Sequence, residues 1–228
     1  MTAPTHTPVP VSAVRIEVFS DVVCPWCFIG KRRLEEALRR LAAAAPSSVP
    51  PRVDWRAFQL NPWLPAQGME RSEYIGRKFG SQAGGIYARV AAVGQQVGIA
   101  FAFDRIARQP NTVDAHRLIR LAGAQSRQDA MVEALFQAYF LEGADLTSTA
   151  VLLDLAQRAG LQRAQAQAYL ADDSTRAAVE DEDRQARELG VEGVPFFVLN
   201  RRLAVSGAQE PEVLVSAIER AAGEFVPG

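Results

Sequence analysis

The sequence predicts an α/β fold in which a β-α-β unit and a β-β-α unit are separated by a large all-helical insertion. Three observations carry that expectation. An alternating apolar segment at residues 14–20 passes directly into a helical repeat. From about residue 70 to 190 the chain is built almost throughout from good helix formers. Short apolar runs then return at 196–206, ahead of one last amphipathic stretch. The two β-containing halves must complete a single sheet.

The elements follow in order. Val14, Ile16 and Val18 alternate with Arg15, Glu17 and Phe19, the period of a half-buried strand. From Cys27 the period lengthens: Ile29, Leu34, Leu38 and Leu41 share one face, with Lys31, Arg32, Arg33, Glu35, Glu36, Arg39 and Arg40 elsewhere. Pro25 suits the first turn of that helix, where a missing N–H costs little. Pro46, Pro50 and Pro51 end it. Residues 53–60 read as a second strand closing at Asn61-Pro62, which implies a parallel crossover. Helices are expected at 72–79, 85–97, 113–125, 128–140, 149–159, 163–170 and 174–189. Thr112 and Ser148 are candidate caps, and Gly190 stands where a helix ends. The acidic run Glu180-Asp181-Glu182-Asp183 is expected to be a solvated helix face. Residues 196–199 and 203–206 form a hairpin about Asn200-Arg201. A helix over 210–222 closes the chain. The expected organisation is a disordered tail at 1–13, a first half at 14–65, the helical insertion at 66–190 and a second half at 191–224.

Composition excludes several classes of protein. Of 228 residues, 48% are hydrophobic and 22% charged, an ordinary globular balance, so disorder is not the theme. A net charge of −1 offers no general attraction to nucleic acid or to an acidic membrane. No apolar run reaches the roughly 18 residues of a membrane helix. The N-terminus lacks the basic and apolar regions of a secretory signal, so the expectation is a cytoplasmic protein, monomer or homodimer. Two cysteines cannot build a disulfide-dense scaffold.

Both cysteines stand in Cys24-Pro25-Trp26-Cys27, where the strand gives way to the helix. Two thiols so placed have three uses. In the first they exchange disulfides: the N–H groups and partial positive charge of a helix N-terminus favour a thiolate on Cys24, and Cys27, one turn on, resolves the mixed disulfide. Pro25 and Trp26 then shape the loop around the sulfurs. In the second they bind zinc, but a structural site usually needs four ligands, and the chain offers only His6 and His116 besides. No metal is expected. In the third they are inert, which the junction between strand and helix argues against.

These residues resemble a known family. Ser20 to Lys31, reading SDVVCPWCFIGK, is similar to the active-site segment of DsbA-like thiol–disulfide oxidoreductases, most closely their FrnE-like branch. Further matches are Phe58-Gln59-Leu60-Asn61-Pro62, Asn111-Thr112 with Ala115-His116-Arg117-Leu118, the segment from Leu189 to Phe197 containing Gly193-Val194-Pro195, and Ser206-Gly207-Ala208-Gln209. The resemblance spans residues 14–222. It implies a thioredoxin-like fold split by the helical insertion. It also implies a dithiol–disulfide oxidoreductase or isomerase acting on protein or small-molecule thiols and disulfides. No bound cofactor is expected, with glutathione open as a co-substrate. Pro195, on the residues alone an edge proline, becomes by resemblance the family's cis-proline beside the cysteines, its Val194 backbone turned toward an incoming peptide. The alternative reading is a glutathione-dependent isomerase of the 2-hydroxychromene-2-carboxylate isomerase type. Those relatives share the split fold but usually carry Ser where this chain has Cys24.

One departure stands out. Thioredoxin-like proteins often carry an acidic residue six positions before the first cysteine, where this chain has Val18. Asp21 is the nearer carboxylate. It would oppose a Cys24 thiolate, accept a proton, or satisfy loop amides, and the sequence leaves these open. By resemblance, Asn111 and His116, with Phe58, are candidate substrate-binding residues.

Overall fold

The structure is a computed structural model and describes residues 14–223. The expected tail at 1–13 lies outside them. The first strand, β1 (Arg15–Ser20), leads into helix α1 (Pro25–Ala44), and β2 (Arg52–Ala57) returns parallel to β1, with Arg15 opposite Arg52 and Ser20 opposite Ala57. Beyond the insertion, β5 (Phe196–Leu199) pairs antiparallel with β1, and β6 (Leu203–Ser206) pairs antiparallel with β5. The order is β2-β1-β5-β6, so the two halves complete one sheet. Asn200 and Arg201 turn the hairpin with φ of 50° and 57°, the left-handed geometry a two-residue turn requires. The last helix, α9 (Pro211–Gly223), packs on α1 and against β5 and β6.

The insertion contains β3 (Met69–Glu70), α2 (Arg71–Phe79), α3 (Ala83–Gln96), β4 (Arg108–Gln109), α4 (Val113–Gly123), α5 (Gln128–Gln137), α6 (Thr149–Arg158), α7 (Arg163–Ala171) and α8 (Asp173–Glu188). It is therefore not wholly helical. Met69 and Glu70 pair with Gln109 and Arg108 in a two-residue ladder, too short to leave a period in the sequence. After α5 the chain continues as a π-helical turn over Ala138–Glu142 rather than as the expected α-helix.

The caps also sort themselves. The Ser148 hydroxyl accepts from the Val151 N–H at 3.4 Å. Thr112 takes the N-cap position of α4 but makes no side-chain cap; the Asn111 side-chain Oδ1 accepts from the Val113 N–H instead. Gly190, at φ 83°, follows α8 and supplies the left-handed turn that lets the Val191 N–H reach the Ala186 carbonyl.

Strand β2 is an edge of the sheet, and the insertion covers it. The Gln128 amide accepts from the Trp55 N–H at 2.9 Å and donates to the Trp55 carbonyl at 3.0 Å, imitating a neighbouring strand. Glu182 accepts from the Ala57 N–H at 3.1 Å and Asp183 from the Gln59 N–H at 2.7 Å. This corrects the expectation of a solvated acidic run. Glu180 and Asp181 face solvent, but Glu182 and Asp183 satisfy backbone donors, which would cost more than a hydrogen bond to leave bare.

One hydrophobic cluster runs through sheet and insertion alike, from Ile16 and Val18 to Leu118, Phe136 and Phe140. Its centre is Phe28 on α1, stacked on Phe136 at 5.0 Å and meeting Phe101 edge-on at 6.1 Å.

Candidate active site

The cysteines occupy the start of α1. Cys24 is its N-cap residue, with φ −94° and ψ 111°, and Pro25 opens the helix. The Cys27 N–H donates to the Cys24 carbonyl at 3.0 Å, closing the first turn. The Cys24 N–H donates to the Asp21 carbonyl at 3.0 Å, so the loop leaving β1 is held as a tight turn. No acidic side chain lies in the first turn of α1. Both cysteines are free thiols. Cys24 is 5% exposed and Cys27 is completely buried.

The surroundings of Cys27 act on its thiol. Burial pushes the Cys27 thiol well above the ordinary value of 9.0, and the hydrogen bond and charge of Cys24 push the same way; the Ser20 side chain and the Asp21 backbone oppose this.

Pro195 lies against α1. The Val194–Pro195 peptide is cis, and the Cys24 thiol donates to the Val194 carbonyl at 3.5 Å. The Gly207 N–H donates to the Pro195 carbonyl at 2.8 Å, which ties this segment to the end of β6. Close packing here depends on Gly30. A Cβ on Gly30 would stand 2.8 Å from Pro195 Cγ. Arg33, one turn further, is buried and donates to the Ala208 carbonyl. Glycine and alanine carry no chemical signal in a sequence, so this role for the 206–209 segment is legible only in the fold. Trp26 is partly buried and packs against the main cluster.

Phe58 is 1% exposed, packed with Phe19, Ala186 and Val191 beneath the Arg187 guanidinium at 4.3 Å. Asn111 directs its side chain inward: it accepts from Gln59 Nε2 at 3.2 Å and donates to the Leu64 carbonyl at 2.6 Å. It joins the loop after β2 to the start of α4. His116 is 2% exposed.

His116 and Asp21 meet. His116 Nε2 stands 3.5 Å from Asp21 Oδ1, and neither atom has a hydrogen-bond partner. Asp21 Oδ2 accepts from the Leu60 N–H at 2.7 Å. Both are candidates in the sequence, but nothing there pairs them. Arg117, next to His116, is also buried and donates to Thr175 Oγ1 and to the Tyr169 and Asp172 carbonyls, which fastens α4 to the loop between α7 and α8. Among the described residues, no three His, Cys, Asp or Glu side chains are grouped to hold a metal ion, and no helix is long and apolar enough to cross a membrane.

Residues 15–219 match the family model of the DSBA-like thioredoxin domain. The chain is 35% identical to a probable DsbA oxidoreductase from Streptomyces coelicolor, whose crystal structure superposes with a TM-score of 0.83 over 94% of this chain and 92% of that one. It is 26% identical over 210 residues to the uncharacterized protein YwbO of Bacillus subtilis, covering 90% of this chain and 96% of that protein. It shares its fold with the cytosolic disulfide reductase DsbM of Pseudomonas aeruginosa, solved with GSH, at 18% identity and a TM-score of 0.61 over 92% of this chain and 96% of that one.

Proposed function

Because the chain belongs to the DsbA-like thioredoxin domain family and is a thiol–disulfide oxidoreductase, we propose that Cys24 is its attacking sulfur and Cys27 its resolving sulfur. The observation that carries this division is the contrast between them. Cys24 caps the positive end of α1 beside the Val194 carbonyl, whereas the wholly buried Cys27 holds its proton. The Cys24 thiolate attacks one sulfur of a substrate disulfide, and the other leaves as a thiolate. Cys27 then loses its proton and attacks Cys24, releasing the first sulfur and leaving a Cys24–Cys27 disulfide. The same steps reversed oxidise a substrate dithiol.

Pro25 and Trp26 shape the loop over the sulfurs. Val194 and Pro195 position an extended partner beside Cys24 through backbone hydrogen bonds. The substrates are protein or small-molecule disulfides, no bound cofactor takes part, and glutathione serves as a co-substrate thiol. The setting is cytoplasmic, where a reducing thiol pool regenerates the dithiol. The chain acts as a monomer or homodimer.

The test is insulin reduction together with trapping. Cys24→Ser is expected to abolish activity, and Cys27→Ser to accumulate a mixed disulfide on Cys24. Full activity in Cys24→Ser would overturn the assignment. Tight glutathione binding with no mixed disulfide would favour the isomerase alternative, which the paired thiols argue against.

A further inference from the structure

Strands β5 and β6 present two unlike faces, because successive side chains of a strand alternate. Phe197 and Leu199 point into the main cluster and are 1% exposed, with Leu203 and Val205 packed beside them and Leu214 and Ile218 of α9 in the same cluster. Phe196 and Val198 point the other way, opposite Ser206 and Ala204 in the register. Helix α8 packs on the β2 side of that second face and ends at Glu188. Beside it lies a groove of about 560 Å³. Phe196, Val198 and Ala204 form its strand side, and Ala186, Leu189 and Val191 its helix side. Leu189 is the most exposed large apolar side chain among the described residues, at 74%. A protruding leucine beside an apolar groove is the kind of surface that marks contact with another molecule.

The charges around the groove select the occupant. At one end, Arg201 and Arg202 follow the hairpin turn and line the groove. At the other end, Val191 packs with Phe19, the register partner of Phe196, and the next residue is Glu192. The charges between are already paired: Glu17 with Arg56 at 2.7 Å, and Arg56 with Glu182 at 3.0 Å. Arg201 also reaches Glu17, at 3.8 Å. Arg202 and Glu192 are exposed and make no ion pair among the described residues. The groove is therefore basic at the hairpin end, acidic at the Pro195 end and apolar between. Reversed, that pattern is complementary to itself. A two-fold axis through the groove runs the partner's β5 the opposite way, sets Arg202 of each protomer against the partner's Glu192, and lets each Leu189 enter the facing groove.

We propose that this groove is the interface of a homodimer, formed with a second copy of the chain across a two-fold axis, with Leu189 as its apolar anchor and an Arg202–Glu192 pair at each end. This decides between the two assembly states left open above. It does not depend on which cysteine attacks.

The experiment is sedimentation velocity of the full chain from low micromolar to submillimolar concentration, with circular dichroism and insulin reduction on every variant to report folding. The parent is expected to dimerise within that range. Leu189→Glu is expected to raise the dimer dissociation constant on the order of 10²-fold, because the interface contains the side chain twice. Arg202→Glu and Glu192→Arg are each expected to raise it on the order of tenfold. The double variant Arg202→Glu/Glu192→Arg should return to within about threefold of the parent, since the pairs are rebuilt with their charges exchanged. Mixing the two single variants should restore dimers as well, because each end of the mixed pair again joins unlike charges. All of these residues stand outside the exchange machinery, so insulin reduction should stay within about twofold of the parent. A parent that remains monomeric throughout overturns the proposal and leaves the groove to a different protein. A dimer untouched by Leu189→Glu overturns it, and so do charge reversals that neither the double variant nor mixing repairs. If Leu189→Glu does not fold, the charge reversals carry the same decision. Loss of insulin reduction in Cys24→Ser bears on the cysteines alone and leaves the sedimentation result unaffected.

Discussion

Cys27 shows how one buried group sets a pH limit. Its folded-state value is raised by burial and by Cys24, so the folded chain retains a proton that the unfolded chain loses near the ordinary thiol value of 9.0. Below that value the contribution to stability is complete; as pH rises through it, the unfolded state gains. The reduced protein is expected to lose stability above about pH 9, by up to roughly 1.4 kcal/mol per pH unit from this group. Urea melts of the parent and of Cys27→Ala should diverge there, and parallel curves would contradict the reading. Gly30 is a second single-residue constraint. Its missing side chain lets α1 meet Pro195, and a methyl group would stand 2.8 Å from the ring. Gly30→Ala is expected to cost about 1–3 kcal/mol and to slow disulfide exchange by moving Val194 away from Cys24. Denaturation and insulin reduction measure the two effects, and a variant normal in both would show that the ring can yield.

Between elements, the charges of α1 and α5 form the main polar joint. Lys31, with a 2% exposed side chain, bonds Glu35 and lies 3.1 Å from both Asp129 and Glu133, while Arg32 grips Glu133 through both its terminal nitrogens. Burial alone would raise Glu133, but the Arg32 hydrogen bonds and the Lys31 and Arg32 charges outweigh it and hold the carboxyl at about 2. Its contribution is therefore present above the usual glutamate range near 4.5 and is lost as pH falls from there toward 2. Glu133→Gln is expected to lower the melting temperature at neutral pH and to flatten its decline across that window. An unchanged acid profile would remove Glu133 from the joint. The edge of β2 is the other junction. Asp183→Ala strands the Gln59 N–H and removes the Arg187 ion pair, and is expected to cost about 1–3 kcal/mol in urea denaturation.

For the molecule as a whole, one hydrophobic cluster joins sheet and insertion, and side chains of α5 and α8 complete the β2 edge. The insertion is thus part of the core and not an appended unit. Thermal or urea unfolding of the full chain should be a single transition, coincident by circular dichroism and tryptophan fluorescence. Splicing residues 66–190 out should leave no cooperative transition, because Phe28 and the β2 edge would lie bare. A spliced protein that melted cooperatively would contradict this.

The sequence by itself determined the order of elements and the chemical centre. Alternation at 14–20, the helical period beginning at Cys27 and the turn at Asn200-Arg201 are local patterns, set by side-chain spacing and backbone freedom. So is the placement of two thiols at a helix entrance. It did not show the two-residue pairing of β3 with β4, which is too short to leave a period. Nor did it show that Glu182 and Asp183 face the β2 edge, since a carboxylate is written the same way whether it meets water or a backbone amide. Phe58, Asn111 and His116 are motif residues in the sequence, but the internal contacts of their side chains are set by the fold. The meeting of Asp21 with His116, and of Gly30 with Pro195, belongs to the tertiary structure alone. Each joins segments far apart in the chain, and such distances are set by how the insertion closes on the sheet, which no local spacing encodes.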